Sequence, residues 1–231
     1  YTLTDRSTLQ QLQIISHAML TMTGRITMLG ISRWTEKGGS YRTIQRFFYK
    51  NIPWTSLNWA LTKSFLTKKG VILIAGDATT VTKSGKETFG LGKFFSSIYS
   101  RAVPGIAFQC LSLIDVSKRK SWPIFFEQIL PQIKEEKTKS KEIKITKRGK
   151  GRPKGSKNKN RKNVELNAEM TQVKLMLQKL LKLIGDTLKP IYFVYDGAFG
   201  NNAAAQMTLQ VGLHLISKLR NDSALYFIWN G

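Results

Sequence analysis

Two aspartates, Asp77 and Asp196, follow directly on apolar runs: Val71-Ile72-Leu73-Ile74-Ala75-Gly76 and Ile191-Tyr192-Phe193-Val194-Tyr195. Short β-branched and apolar runs of this kind read as buried strands, so each carboxylate is expected at a strand end. There it must be solvated, hydrogen-bonded or metal-bound, because burying an unpaired carboxylate is very costly. If the two strands are neighbours, the carboxylates meet. Hard oxygen ligands converging in this way hold Mg²⁺ or Mn²⁺, and a pair of such ions activates the attacking oxygen and stabilises the leaving oxygen in phosphodiester cleavage. Taken singly, each Asp does no more than end a strand and open a turn, and Asp196-Gly197 is a common turn dipeptide. The pairing, the strand order and the charge of the chain together favour the metal-site reading.

The other reactive side chains offer less. His17 falls in a helical stretch and His214 in a strand, neither with a ligand partner at a useful spacing, and both read as structural. The single cysteine, Cys110, excludes an intramolecular disulfide and a cysteine-based zinc cluster, and its apolar surroundings make it a core residue. Gly85, Gly90 and Gly92 hint at a phosphate cradle, but no Gly-Lys-Ser/Thr follows, and a hairpin turn is the better reading. Asp115 ends an apolar run just before Lys118-Arg119-Lys120, an expected exposed turn, and stands as a reserve third ligand. Trp34, Trp54, Trp59, Trp122 and Trp229 occur singly and are assigned to core packing rather than base stacking.

The charge balance narrows the partner. Lys and Arg number 37 against 14 Asp and Glu in 231 residues, a formal charge of +23, so the expected partner is a polyanion, nucleic acid before an anionic membrane surface. No apolar run approaches the ~20 residues of a spanning helix and no signal peptide is visible; a soluble, cytoplasmic, nucleoid-associated protein is expected. At 42% hydrophobic the chain can bury a substantial core. Its first residue, Tyr1, and its hydrophobic last residues, Phe227 to Gly231, read as ends cut from a longer protein.

Two domains are expected to position these groups. Residues 1–69 read as a small helical DNA-binding domain: Leu12, Ile15, Met19, Met22, Ile26 and Leu29 recur at three- and four-residue steps through Leu9 to Ile31. Ser40 N-caps a helix from Tyr41 to Tyr49, and Pro53-Trp54-Thr55 opens another through Leu66. Arg42, Arg46 and Lys50, at i, i+4 and i+8, are candidate phosphate contacts on one helix face, although a solvated face has the same spacing. From Gly70 the texture changes to strands: Val71 to Ala75, Ser97 to Ser100, Ile106 to Ile114, Ile191 to Tyr195 and Leu213 to Leu219. Turn signals at Ser84-Gly85-Lys86 and Val103-Pro104-Gly105 favour antiparallel pairing of the first three; helical stretches between the later ones favour parallel addition. A mixed α/β sheet over 70–231 follows, with a helix across Val164 to Leu188. Ahead of that helix, residues 137–162 carry 13 Lys or Arg against Glu142 alone, a basic insertion disordered until it binds.

These residues resemble a known family. Ala75-Gly76-Asp77-Ala78-Thr79-Thr80, the stretch Gly85 to Phe95, Phe193-Val194-Tyr195-Asp196-Gly197-Ala198 and Leu215-Ile216-Ser217-Lys218-Leu219-Arg220 resemble DDE transposases of bacterial insertion sequences, most closely the IS4-like superfamily, over most of residues 70–231. The resemblance implies a ribonuclease-H-like fold, with Asp77 and Asp196 as the first two catalytic, metal-binding acids and two Mg²⁺ or Mn²⁺ ions in the complete enzyme. It implies that water attacks first to free a 3′-OH, which then attacks target DNA, and that a homodimer acts on double-stranded transposon ends and target. The family's third acid, a Glu on a later helix, has no counterpart: Asp222 alone follows Asp196, and too closely. A chain truncated before that Glu, and inactive by itself, is expected. Lys147-Arg148-Gly149-Lys150-Gly151-Arg152-Pro153-Lys154 resembles the AT-hook, with Lys150 where the motif usually has Arg. With Lys157, Lys159, Arg161 and Lys162 it forms the expected DNA-binding loop, through the A·T minor groove or through counterion release alone. The alternatives are a non-catalytic DNA-binding remnant or domesticated protein, and another ribonuclease-H-like nuclease, which would need its third acid elsewhere, with Asp115 as the test.

Overall fold

The computed structural model describes residues 3–36, 38–67, 70–96, 98–131 and 164–219. The chain divides into two compact units, one up to Leu61 and one from Thr62.

The first unit is helical: α1 (Arg6–Thr21), α2 (Met28–Thr35), α3 (Tyr41–Phe48) and α4 (Trp54–Thr62), whose last residue falls at the division. The apolar period of Leu9 to Ile31 does not run through as one helix. It breaks because Gly24 takes φ +86°, a left-handed conformation open to glycine, and because Thr27 restarts the chain as an N-cap, accepting from the Gly30 amide at 3.0 Å. Asp5 caps α1 in the same way, accepting from the Thr8 amide at 2.8 Å. Ile15, Ala18, Ile31, Ile44, Phe47 and Ile52 form one buried cluster beneath these helices. Trp34 and Trp54 are about half exposed rather than core, while Trp59 is buried.

The second unit is a mixed six-stranded sheet: β1 (Ile72–Thr82), β2 (Gly92–Ser96), β3 (Arg101–Asp115), β4 (Lys120–Ile129), β5 (Tyr192–Val194) and β6 (His214–Ile216), with α5 (Ala168–Ile184) and α6 (Asn202–Gln210). The order is β2-β3-β1-β5-β6, with β4 also on β3. The first four strands pair antiparallel, and β5 and β6 add in parallel. Burial alternates along β1 and β3, so Ile72, Ile74, Leu111 and Leu113 turn one face inward with Phe193 of β5. Met170, Val173, Met176, Leu177, Leu180 and Ile184, the apolar stripe of α5, are buried too. This is the mixed α/β, ribonuclease-H-like class expected.

Three strand assignments change. Val103-Pro104-Gly105 is no turn but lies inside the 15-residue β3; the Pro104 carbonyl still accepts from the Lys83 amide, and a side chain at Gly105 would meet the Val81 carbonyl oxygen at 2.6 Å. Close strand approach, not a turn, is what Gly105 serves. The second strand lies at Gly92–Ser96, and residues 98–100 turn. β4 had no sequence expectation, because Pro123 interrupts it; a register shift opposite Leu111 and Ser112 accommodates that proline. The basic segment 137–162, with Lys147, Arg148, Lys150, Arg152, Lys154, Lys157, Lys159, Arg161 and Lys162, lies outside the described residues, as do Asp222 and Trp229.

Candidate active site

Asp77 does not end its strand. It is the sixth residue of the 11-residue β1, level with Cys110 of β3, on the exposed side of the alternation. The strand runs on because Thr79 to Thr82 are β-formers that continue to pair with β3. β5 is far shorter. Its parallel register sets Ala75 level with Val194, and two residues further along each chain stand Asp77 and Asp196. The paired register ends at Ala75 and Val194, and each aspartate stands two residues beyond it, on adjacent strands about 4.8 Å apart where they pair. Both are exposed.

The Asp196 loop is held from two directions. Its carboxylate accepts from the Ala198 amide at 3.1 Å, capping a 3-10 turn at Gly197–Phe199, and its carbonyl accepts from the Ser217 hydroxyl. Gly200 lies so close to the Lys218 carbonyl that a side chain there would come within 2.3 Å. The segments Asp196-Gly197-Ala198 and Ile216-Ser217-Lys218 are therefore one structural feature, although some twenty residues separate them.

The carboxylates also share an electrostatic neighbourhood. Tyr195 is buried; burial raises its hydroxyl above the usual tyrosine range, and the charges of Glu169, Asp196 and Asp77 add to the effect. Glu169, in the first turn of α5, has a raised carboxyl through burial and then the Asp196 charge, with the Tyr195 hydroxyl opposing. Sequence reasoning missed Glu169. Its signal was present, since Asn167 N-caps α5 and places an acid two residues on, beside the inward stripe, but its nearness to Asp196 depends on how α5 packs.

Asp115 belongs elsewhere. It is level with Ile72, five residues of β1 from Asp77, or roughly 17 Å at the strand rise. Its carboxylate accepts from the Thr67 amide at 2.9 Å, the Lys118 amide at 3.1 Å and the Ser117 hydroxyl. That saturates it, and the reserve-ligand expectation is withdrawn. Among the described residues no group of three or more His, Cys, Asp or Glu is arranged to hold a metal ion. Asp77 and Asp196, hard oxygen donors open to solvent, have the chemistry to bind a Mg²⁺-like cation between them.

In the first unit, Arg42 and Arg46 stand exposed on α3 while Ile44 and Phe47 bury the opposite side. Lys50 does not complete their face. The helix ends at Phe48, and the Lys50 ammonium turns back to α1, donating to the Thr8 hydroxyl at 2.7 Å and Gln11 Oε1 at 3.2 Å. Its placement serves the fold of the unit. His17 and His214 are exposed, and His214 lies against the Tyr192 ring. Cys110 is half-buried; burial raises its thiol, opposed by a hydrogen bond with Ser112, and the Asp77 charge raises it further.

A family model described as DDE superfamily endonuclease matches residues 1–231, the whole chain. The chain belongs to that family. Membership gives this DDE endonuclease nuclease-type chemistry on nucleic acid, of the divalent-metal kind general to such nucleases. Comparison with curated proteins found no match. Among the described residues of the endonuclease, no helix is long and apolar enough to cross a membrane.

Proposed function

We propose that this DDE endonuclease is a transposase, of the IS4-like kind its motifs resemble, that cleaves the ends of its own transposon and joins them to target DNA. The observation that supports the reading is the β1–β5 register, which pairs Ala75 with Val194, two residues ahead of Asp77 and Asp196, in a chain matched throughout by a DDE endonuclease family. The two carboxylates would hold Mg²⁺ or Mn²⁺, which supplies Lewis acidity at the scissile phosphate. The chain's own part is to present two charged, solvent-open carboxylates from adjacent strands, to fix the Asp196 loop through Ser217, and to keep Glu169 close by as a further acid. The helical segment of residues 1–69 serves as the DNA-binding domain, with Arg42 and Arg46 of α3 on phosphates. The basic segment 137–162 adds salt-sensitive affinity. Double-stranded DNA is the partner, a homodimer the working form, and the cytoplasm and nucleoid the location.

The test is Mg²⁺-dependent nicking of supercoiled DNA carrying the element's own ends, using the full-length gene product. Asp77→Ala and Asp196→Ala should each lower nicking by about a thousand-fold, since a divalent ion supplies several kcal/mol of transition-state stabilisation and each 1.36 kcal/mol is ten-fold in rate. Binding of the end DNA in a gel-shift assay should stay near wild type. Nicking that survives either substitution refutes the site, and nicking without joining refutes transposition in favour of a plain nuclease.

A further inference from the structure

Beneath Asp77, on the inward face of the sheet, runs a chain of hydrogen bonds that starts in one half of the site and ends in the other. The Tyr195 hydroxyl donates to Gln109 Oε1 at 2.9 Å, and Gln109 Nε2 donates to the Asp77 carbonyl at 3.1 Å, with a longer approach to the Cys110 carbonyl at 3.4 Å. Gln109 is 1% exposed and Tyr195 6%. A buried glutamine must place both ends of its amide or carry a desolvation cost. Here each end is used, one on Tyr195, which precedes Asp196, and the other on Asp77 itself.

The surrounding residues are shaped to this connection. The Tyr195 ring lies over Gly76, where a Cβ would come within 2.6 Å of the ring, so only glycine admits it. Ala78 is level with Gln109 across β1 and β3. On its other side the ring stacks on Phe199, with centroids 3.8 Å apart and planes at 29°. Gly76-Asp77-Ala78 and Tyr195-Asp196 are thus explained together: the residues flanking each aspartate make the join between the two.

We propose that Gln109 and Tyr195 are positioning residues for the two-carboxylate site, fixing the Asp77 backbone level with Asp196 and thereby setting the affinity for a divalent cation. The inference rests on the metal-site reading above. Mutations of outer groups that orient metal ligands cost ten- to a hundred-fold in affinity; Gln109 acts on Asp77 through its main-chain carbonyl, and Tyr195 on Asp196 through the peptide that joins them.

The experiment is a Mn²⁺ titration of the full chain, read by electron paramagnetic resonance without DNA or turnover. Tyr195→Phe keeps the ring and removes only the hydroxyl; Gln109→Leu removes the amide. Each should raise the Mn²⁺ Kd by about ten-fold, and the double variant should be no weaker than either single, because a serial connection is broken once. If Gln109→Leu fails to fold, Tyr195→Phe alone decides. Asp77→Asn runs beside them. Loss of Mn²⁺ binding in Asp77→Asn with an unchanged Kd in Tyr195→Phe overturns the positioning role and leaves the metal site standing. Wild-type Mn²⁺ binding in Asp77→Asn overturns the metal site, and the positioning role with it. Additive losses in the double variant mark general loosening and also overturn the proposal.

Discussion

Asp77 and Asp115 sit on the same pair of strands, five residue levels apart, and differ in what has been done with their oxygens. Asp115 is fully buried, and three donors from two sequence regions converge on it: Thr67 ahead of β1, and Ser117 and Lys118 in the β3–β4 turn. The Lys118 ammonium in turn donates to the Phe65 carbonyl at 2.6 Å, tying the entry of the unit to the same corner. Asp77 is exposed, and among the described residues no donor is bonded to its carboxylate. What the fold fixes there is the backbone, through Gln109, while the side chain is left free. On the proposed metal-site reading, the difference separates a structural acid from a working one: saturated lone pairs hold a fold together, and open lone pairs on a fixed backbone are available to a ligand.

The sharpest way to break this contrast is to remove each carboxylate in turn. Asp77→Ala should abolish nicking and leave the melting temperature within a degree or two. Asp115→Ala should do the reverse. It strands three donors at once, each a loss of the kind that costs stability when buried, and should lower the melting temperature by roughly 5 °C or more for a unit of this size. Whatever protein remains folded should nick DNA at the wild-type rate. Calorimetry and the nicking assay decide the matter; an Asp115→Ala protein that melts normally but has lost activity would return that residue to the list of candidate ligands.

Acid separates the two next. The Ser117 hydroxyl, with Thr67 and the Lys118 amide, holds the Asp115 carboxyl far below the usual carboxylate range. A carboxyl depressed in the folded state lends stability that is fully present above its unfolded pKa, about 3.9, and is lost as pH falls from there toward the folded value. Denaturant midpoints of the wild type should therefore drop between about pH 4 and pH 2. In Asp115→Asn that slope should flatten, and in Asp77→Asn it should persist. An equal slope in wild type and Asp115→Asn would show that the carboxyl titrates alike in both states.

How much of this was legible in the sequence divides along the same line. The apolar runs ahead of Asp77 and Asp196 identified their strands, because a run such as Val71 to Ala75 has no other stable home, and the switch from intervening turns to intervening helices gave antiparallel then parallel pairing. What could not be read was register and length. Pro104-Gly105 has the chemistry of a turn and is overridden by pairing on both sides of β3; Pro123 hid β4 behind a bulge. Asp115 and Asp77 looked alike for the same reason, since each follows an apolar run and what sets them apart, a Thr67 donor to Asp115, lies 48 positions away in sequence. Gln109 was invisible, as a lone polar residue in a strand signals nothing until its partners are known. Glu169 was not legible as a neighbour of Asp196 because that nearness comes from the packing of α5, although its helix was expected.

The smallest effect offers the finest test, and the single cysteine reports it. Cys110 faces Asp77 across β1 and β3 and lies five residues along β3 from Asp115. Its thiol is raised mainly by burial, with Ser112 opposing and the Asp77 charge adding a smaller part. The thiolate is the reactive form, so removing a nearby negative charge lowers the thiol pKa, increases the thiolate present at pH 8 and speeds alkylation. Asp77→Asn should therefore react with iodoacetamide a few-fold faster than wild type in the folded protein, while Asp115→Asn, measured under conditions where it remains folded, should not. Since burial is the larger cause, neither variant should approach the rate of the unfolded chain. Equal acceleration in both variants would point to loosening of the sheet rather than to charge, and would erase the distinction between the two carboxylates at the one position placed to sense it.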